Sequence, residues 1–184
     1  NDPFENRLSS GKQVGDVLIP LLSKHGGEVL IADVGARNSM EWPAALVKQT
    51  RFVGFEPNQE EYDKLVSHTT DAQNLGITVK KFGQEEFHDC AVWGTQTEMP
   101  FYITQGTGAC TMMGHSNESV ASKVWLEGGD APYSDMHSKV IESHPVKCDT
   151  LDNLFSKDNC IDFLAIVAYF LGQKQKIDVW WASS

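Results

Sequence analysis

The chain has 184 residues, 41% hydrophobic and 22% charged, with 15 basic against 25 acidic side chains and a net charge of −10. This length suits one domain, and the composition supports a packed core rather than disorder. The acidic excess argues against a nonspecific nucleic-acid binder, which needs a basic face to displace phosphate counterions, and against docking on anionic lipid. Cys90, Cys110, Cys148 and Cys160 form no C-x-x-C spacing, so they read as reduced thiols of a cytoplasmic protein rather than a zinc knuckle. His68, His88, His115, His137 and His144 show no ligand spacing either, and no metal is expected. No apolar run reaches the roughly 18 residues of a membrane span. Residues Asn1 to Gly15 lack a signal-peptide core. The chain does not open on Met, so an upstream piece or a removed leader stays open.

In chain order, Val14, Val17, Leu18, Leu21 and Leu22 share one face at helical spacing, predicting a helix from Lys12 to Lys24 that ends at Gly26 and Gly27. Val29 to Gly35 is an almost continuous apolar run, as in a parallel strand buried on both faces. A second strand, Arg51 to Glu56, follows after enough chain for a crossover helix. Pro57 and Asn58 open a helix through His68, with Tyr62, Leu65 and Val66 inward. Strands alternating with helices predict βαβ units and a doubly wound sheet. Ile77–Phe82, Phe87–Trp93 and Met99–Thr104 read as further strands. Gln105 to Tyr133 reads as a long loop with a short helix near Ser119 to Leu126. Val140–Cys148 reads as a strand that Pro145 places at an edge. Thr150–Phe155 reads as a helical turn and Ile161–Phe170 as a buried strand.

Two segments carry chemistry. Asp33-Val34-Gly35-Ala36 closes the first strand, where open α/β sheets bind ligands, and Gly35 permits a sharp turn and close approach. Glu56 closes the second strand 23 residues later. A carboxylate there can accept hydrogen bonds from both hydroxyls of a ribose; it can also serve as the cap of the helix beginning at Pro57. Only one glycine is present where a dinucleotide fingerprint needs three. The two acidic strand ends together predict a nucleoside-type cofactor.

The order Ile31-Ala32-Asp33-Val34-Gly35-Ala36, then Phe52-Val53-Gly54-Phe55-Glu56-Pro57-Asn58, resembles the FkbM-type family of S-adenosylmethionine-dependent methyltransferases. Cys90-Ala91-Val92-Trp93-Gly94 resembles that family's third strand, followed by a hairpin through Phe101-Tyr102-Ile103. Val146 to Leu154 resembles its strand-then-T-L-D segment, and Ile161-Asp162-Phe163-Leu164 the start of its fourth sheet strand. The resemblance spans Val29 to Leu164. It implies an α/β, Rossmann-like three-layer αβα class I methyltransferase fold, one domain with a helical lead (1–28), a family-like core (29–164) and an atypical tail (165–184). It implies S-adenosylmethionine as cofactor and methyl transfer to an oxygen of a small-molecule or sugar-type acceptor. Asp33 and Gly35, with Ala36 beside them, would border the methionine part. Glu56 would hold the ribose, flanked by Pro57 and Asn58. Asp89, Cys90 and Ala91 would lie near the adenine through backbone groups, and Gly108 to Thr111 near the acceptor entrance. No catalytic base is named.

The chain departs from the family twice. Arg37 stands where the family has Asn, bringing a cation near the expected sulfonium. After Leu164 the family continues with a lysine, an acidic residue, a glutamate and a glycine, where this chain has Ala165, Val167, Tyr169 and Phe170. The sheet is therefore expected to be incomplete at its C-terminal end. The five or so residues between Phe170 and Lys176 are too few for a parallel crossover, and the exposed edge would favour self-association. The expectation is a poor catalyst that still binds cofactor. A noncatalytic binding or interaction domain of the same fold is the second reading, and a nicotinamide oxidoreductase the third.

Overall fold

The computed structural model describes residues 20, 22, 24, 26–105, 112, 140–155 and 161–166. Pro20, Leu22 and Lys24 are helical; the rest of the helix expected over Lys12 to Lys24 lies outside the described residues. So do most of the 105–133 loop, its expected helix, Gly108–Thr111, and everything after Ile166.

The continuous apolar runs form a parallel sheet, as expected. Strand β1 (Val29–Val34) pairs in parallel with β2 (Thr50–Phe55), and β2 with β3 (Gln84–His88). Strand β7 (Phe163–Ile166) pairs in parallel with the other side of β1, giving the order β3-β2-β1-β7. The chain thus winds outward from β1 to β3, then returns to the opposite flank of β1. The protein is a mixed α/β structure with a parallel central sheet.

Alternation along the strands divides the core. One face carries Val29, Ile31 and Phe52, packed under Trp42, Leu46, Leu65 and Phe82. The other carries Leu30, Ala32, Val53 and Phe55, packed on Cys90 and Phe155. Phe52 stacks on Phe82 with ring centroids 4.5 Å apart. Each such buried side chain contributes about 1.5–3 kcal/mol. Asp162 ties β7 to β1, its Oδ2 accepting the Leu30 amide at 2.8 Å while its own amide donates to the Leu30 carbonyl at 3.0 Å.

Three expectations about connections are corrected. Residues between β1 and β2 form turns and a single 3₁₀ turn, Val47–Gln49, rather than a crossover helix. Ser39 sits at φ 59° and Pro43 interrupts the segment, so a regular helix cannot run through it. Trp42 anchors it instead: its Nε1 donates to Thr50 Oγ1 at 2.9 Å, and that hydroxyl donates to the Leu46 carbonyl at 2.8 Å. Ile77–Phe82 is not a strand. It follows a short helix, α2 (Asp71–Asn74), closed at its start by a Thr70–Gln73 capping box. At its end Gly76 at φ 70° lets the Ile77 amide reach back to the Ala72 carbonyl at 2.9 Å. Phe87–Trp93 is two strands, because the chain bends at Asp89 and Cys90 before β4 (Ala91–Val92) leaves for a second sheet. The segment that resembles the family's third strand therefore does not continue the parallel sheet.

The second sheet has the order β4-β6-β5, with β5 (Thr97–Thr104) antiparallel and β4 parallel to β6 (Val140–Asp149). Strand β6 is central, which corrects the edge assignment. Pro145 is nonetheless accommodated: β4 covers only Cys148 and Asp149, and Pro145 stands opposite Pro100. Two residues without an N–H face each other at no cost only in a non-hydrogen-bonded pair. A helical turn, α3 (Leu151–Leu154), follows as expected, capped by Thr150. On the second face of the central sheet the described covering elements are Cys90, Val92, α3, Phe155 and Ile161, not a layer of long helices.

Candidate binding site at the strand ends

In a parallel sheet all strand carboxyl ends lie along one edge. Here that edge gathers Asp33, the penultimate residue of β1, Glu56, the first beyond β2, and His88, the last of β3. Asp33 is paired in register with Gly54 on one side and Ala165 on the other. It is 3% exposed, and no hydrogen-bond donor among the described residues meets its carboxylate. Burial, reinforced by the charge of Glu56, pushes its carboxyl up to about 7.

Beyond Asp33 the chain turns through Gly35 at φ 81°, a conformation L side chains rarely adopt. The amides of Gly35 and Ala36 both donate to the Phe55 carbonyl, at 2.9 and 3.1 Å. Ala36 packs over Gly54, where an added Cβ would lie 3.1 Å from that of Ala36 and 3.0 Å from the Phe87 ring. The glycine in Gly54-Phe55-Glu56 therefore lets the β1 turn lie flat against β2, and this sets Asp33 beside Glu56.

Glu56 is also buried, and desolvation pushes its carboxyl up to about 7. The backbone amides of Asn58 and Arg37 oppose that shift, the Asn58 amide at 2.8 Å from Oε1. Helix α1 (Gln59–Val66) begins immediately after, capped by Asn58, whose Oδ1 accepts from the Glu60 and Glu61 amides. The cap is thus Asn58, not Glu56, which leaves Glu56 facing the strand edge. Pro57 is half-buried between them. Leu65 is the buried apolar anchor of α1, whereas Val66, expected inward, is 48% exposed. The helix ends when His68 takes φ 56° and the Thr69 amide returns to the Lys64 carbonyl at 2.9 Å.

Two residues matter more than the sequence suggested. Glu61 stands three residues after the cap, where a capping-box glutamate normally reaches back to the cap amide. Here Glu56 already holds that amide, and Glu61 is buried against Arg37 instead, Oε2 to Nε at 3.1 Å. The Arg37 cation is therefore matched by a carboxylate on α1. The Asn58-x-x-Glu61 spacing was the available signal. The second residue, His88, stacks on Phe55 with centroids 5.1 Å apart, and its carbonyl accepts the Glu56 amide at 3.0 Å.

The expected adenine-side residues separate. Asp89 is exposed just past the carboxyl end of β3. The Cys90 side chain is buried in the core of the opposite face, where burial pushes its thiol up to about 11. Ala91 is packed in the second sheet with Phe101, Val146 and Cys148. Their side chains add nothing to the carboxylate pair. Among the described residues, no three His, Cys, Asp or Glu side chains converge to hold a metal, and no helix is long and apolar enough to cross a membrane.

Comparison with family models, curated proteins and solved structures found no match.

Proposed function

We propose that the chain binds S-adenosylmethionine across the carboxyl ends of β1 and β2, in a Rossmann-like class I methyltransferase fold, and that it transfers the methyl group to an oxygen of a small-molecule or sugar-type acceptor. One observation carries this reading. Asp33, buried and without a donor among the described residues, lies beside a second buried carboxylate, Glu56, at the point where the strand order reverses about β1. Ligands of open α/β sheets bind in that crevice. Two such carboxylates destabilise the empty fold, and cationic or hydroxyl-bearing groups satisfy them.

The residues present suit that cofactor. Glu56 accepts from the Asn58 and Arg37 amides and retains lone pairs for the ribose hydroxyls. Asp33 offers a carboxylate to an ammonium or sulfonium. Gly35 has no side chain to obstruct approach along the turn. The cofactor, when bound, supplies an activated methyl group, so the protein's part is alignment and exclusion of water.

A catalytically impaired binding domain is the second reading, favoured by Ala165. This residue stands in register with Asp33, at the position where the resembled family carries a lysine. No cation from β7 offsets Asp33 at that position. Strand β7 therefore lends the site packing but no polar group there.

Calorimetric titration tests the proposal. S-adenosylhomocysteine should bind the wild type, and Glu56→Ala should weaken it by about 1.5–3 kcal/mol, the worth of hydrogen bonds to a charged group. Equal affinity in the variant would remove the ribose assignment, and binding of NAD instead would favour an oxidoreductase. Turnover with acceptors separates the enzyme from the binding domain. Gly35→Val is a poor probe, because a β-branched residue at φ 81° would strain the fold itself.

A further inference from the structure

We propose that Pro100 and Pro145 guard the two outer edges of the β5–β6 ribbon against strand pairing with a second copy of the chain. This role does not depend on the cofactor.

The strand register sets the two prolines directly opposite each other. In an antiparallel pair, opposed residues alternate between exchanging two hydrogen bonds and exchanging none, and the second kind turn their backbone groups away from each other. Two residues without an N–H suit the second kind. Pro100 therefore turns its backbone to the outer edge of β5, and Pro145 to the outer edge of β6. The bonding of β4 agrees. Asp149 shares the alternation of Pro145 along β6, and its carbonyl accepts the Trp93 amide at 2.8 Å on the β4 side. The backbone at Pro145 points to that same side, where β4 reaches only Cys148 and Asp149.

Strand β5 has eight residues and β6 has ten. Among the described residues, no strand pairs with the other side of β5, or with β6 ahead of Cys148 on the β4 side. Val140 and Ile141, at the start of β6, are 37% and 59% exposed. A long strand edge flanked by apolar side chains is a template for another strand. A proline at an outward position withholds the donor that a docking strand would use, and its ring occupies the space that strand would approach. Pro100 and Pro145 are both exposed. The register shift between Ile103 and Thr104 interrupts the ladder further along the same ribbon. Neither proline costs the ribbon a hydrogen bond, because neither position donates within it.

The test uses the full chain and three variants: Pro100→Thr, Pro145→Thr and the two together. Threonine restores the amide without adding apolar surface, and it suits a cross-strand pair. Sedimentation velocity over a concentration series reads association. Each single variant should associate at a concentration about tenfold below wild type, the order of one or two regained backbone hydrogen bonds per contact. The double variant should associate at a lower concentration still. Hydrogen exchange should find the new amides open in dilute solution and protected in the associated form. Each proline is judged by its own single variant, so a double variant that does not fold leaves the test intact. Unchanged association in the single variants, or association that leaves the new amides exchanging freely, overturns the proposal.

Discussion

The two sheets treat polar residues in opposite ways. In the second sheet the polar side chains of β5 and β6 are exposed or half-buried except for Thr104, and the buried apolar residues are Ala91, Phe101, Val146 and Cys148. In the parallel sheet β1 and β2 are apolar and buried along almost their whole length, yet the chain places Asp33 and Glu56 at their ends and buries those too. The charge on Asp149, a half-buried carboxylate of the second sheet, is favoured by hydrogen bonds from Asn153 and Thr150, which hold its carboxyl below the usual range. Asp33 has no such partner among the described residues and is pushed the other way. A carboxylate that stabilises a fold acquires donors; one that is buried without them costs stability and marks a place where something else is meant to bind.

The largest test of this contrast is structural. Phe52, fully buried between Phe82 and Phe87, should cost about 3–5 kcal/mol on substitution by Ala. Glu98→Ala on the exposed side of β5 should move stability by about 0.5 kcal/mol or less. Chemical denaturation of the two variants checks whether the parallel sheet alone carries the fold; equal losses would show that it does not.

The next effect runs against intuition. Asp33 and Glu56 have folded-state carboxyl values near 7, above their ordinary values of 3.8 and 4.5. Below about pH 3 both carboxyls are protonated in the folded and the unfolded chain and no penalty exists. As pH rises toward 7 the unfolded chain ionises first, so each group removes stability, fully by about pH 8. Asp33→Asn should therefore be more stable than wild type at pH 8, on the order of 2 kcal/mol, and lose that advantage near pH 3. Unfolding curves across this range check it, and parallel curves would mean that Asp33 is already satisfied.

A smaller effect separates the site's support from its chemistry. Asn58→Ala removes the α1 cap and should cost about 1 kcal/mol. It also loosens the helix start that holds Glu61, whereas the Asn58 amide on Glu56 is retained. Thermal unfolding measures the first part, and cofactor affinity shows whether the helix start contributes to binding.

Much of the parallel sheet was legible because its signals are local. Val29 to Val34 and Phe52 to Phe55 are apolar runs that can only be buried, and Asp33 and Glu56 stand out as the acids that close them. The segment between β1 and β2 was not legible as turns, because its anchor is the Trp42–Thr50–Leu46 hydrogen-bond chain, a tertiary feature. Phe87 to Trp93 read as one strand because hydrophobicity alone does not record the bend at Asp89. Glu61 escaped notice because it lies in a polar run, Gln59-Glu60-Glu61, and its burial depends on Arg37, 24 residues earlier. Arg37 itself was visible in the sequence as a lone cation after the Gly35 turn, without Glu61, the partner that the fold brings to it.

The most direct measurement is the proton release that accompanies binding. At pH 7, with carboxyl values near 7, the Asp33–Glu56 pair holds about one proton. A sulfonium ligand that requires both carboxylates ionised must expel it. Calorimetric titration of S-adenosylmethionine at pH 7, repeated in two buffers of different ionisation enthalpy, counts the protons released. About one proton per cofactor bound is the expected result, falling toward zero at pH 9; binding with the same enthalpy in both buffers, or no binding at all, would contradict a ligand-relieved carboxylate pair at the ends of β1 and β2.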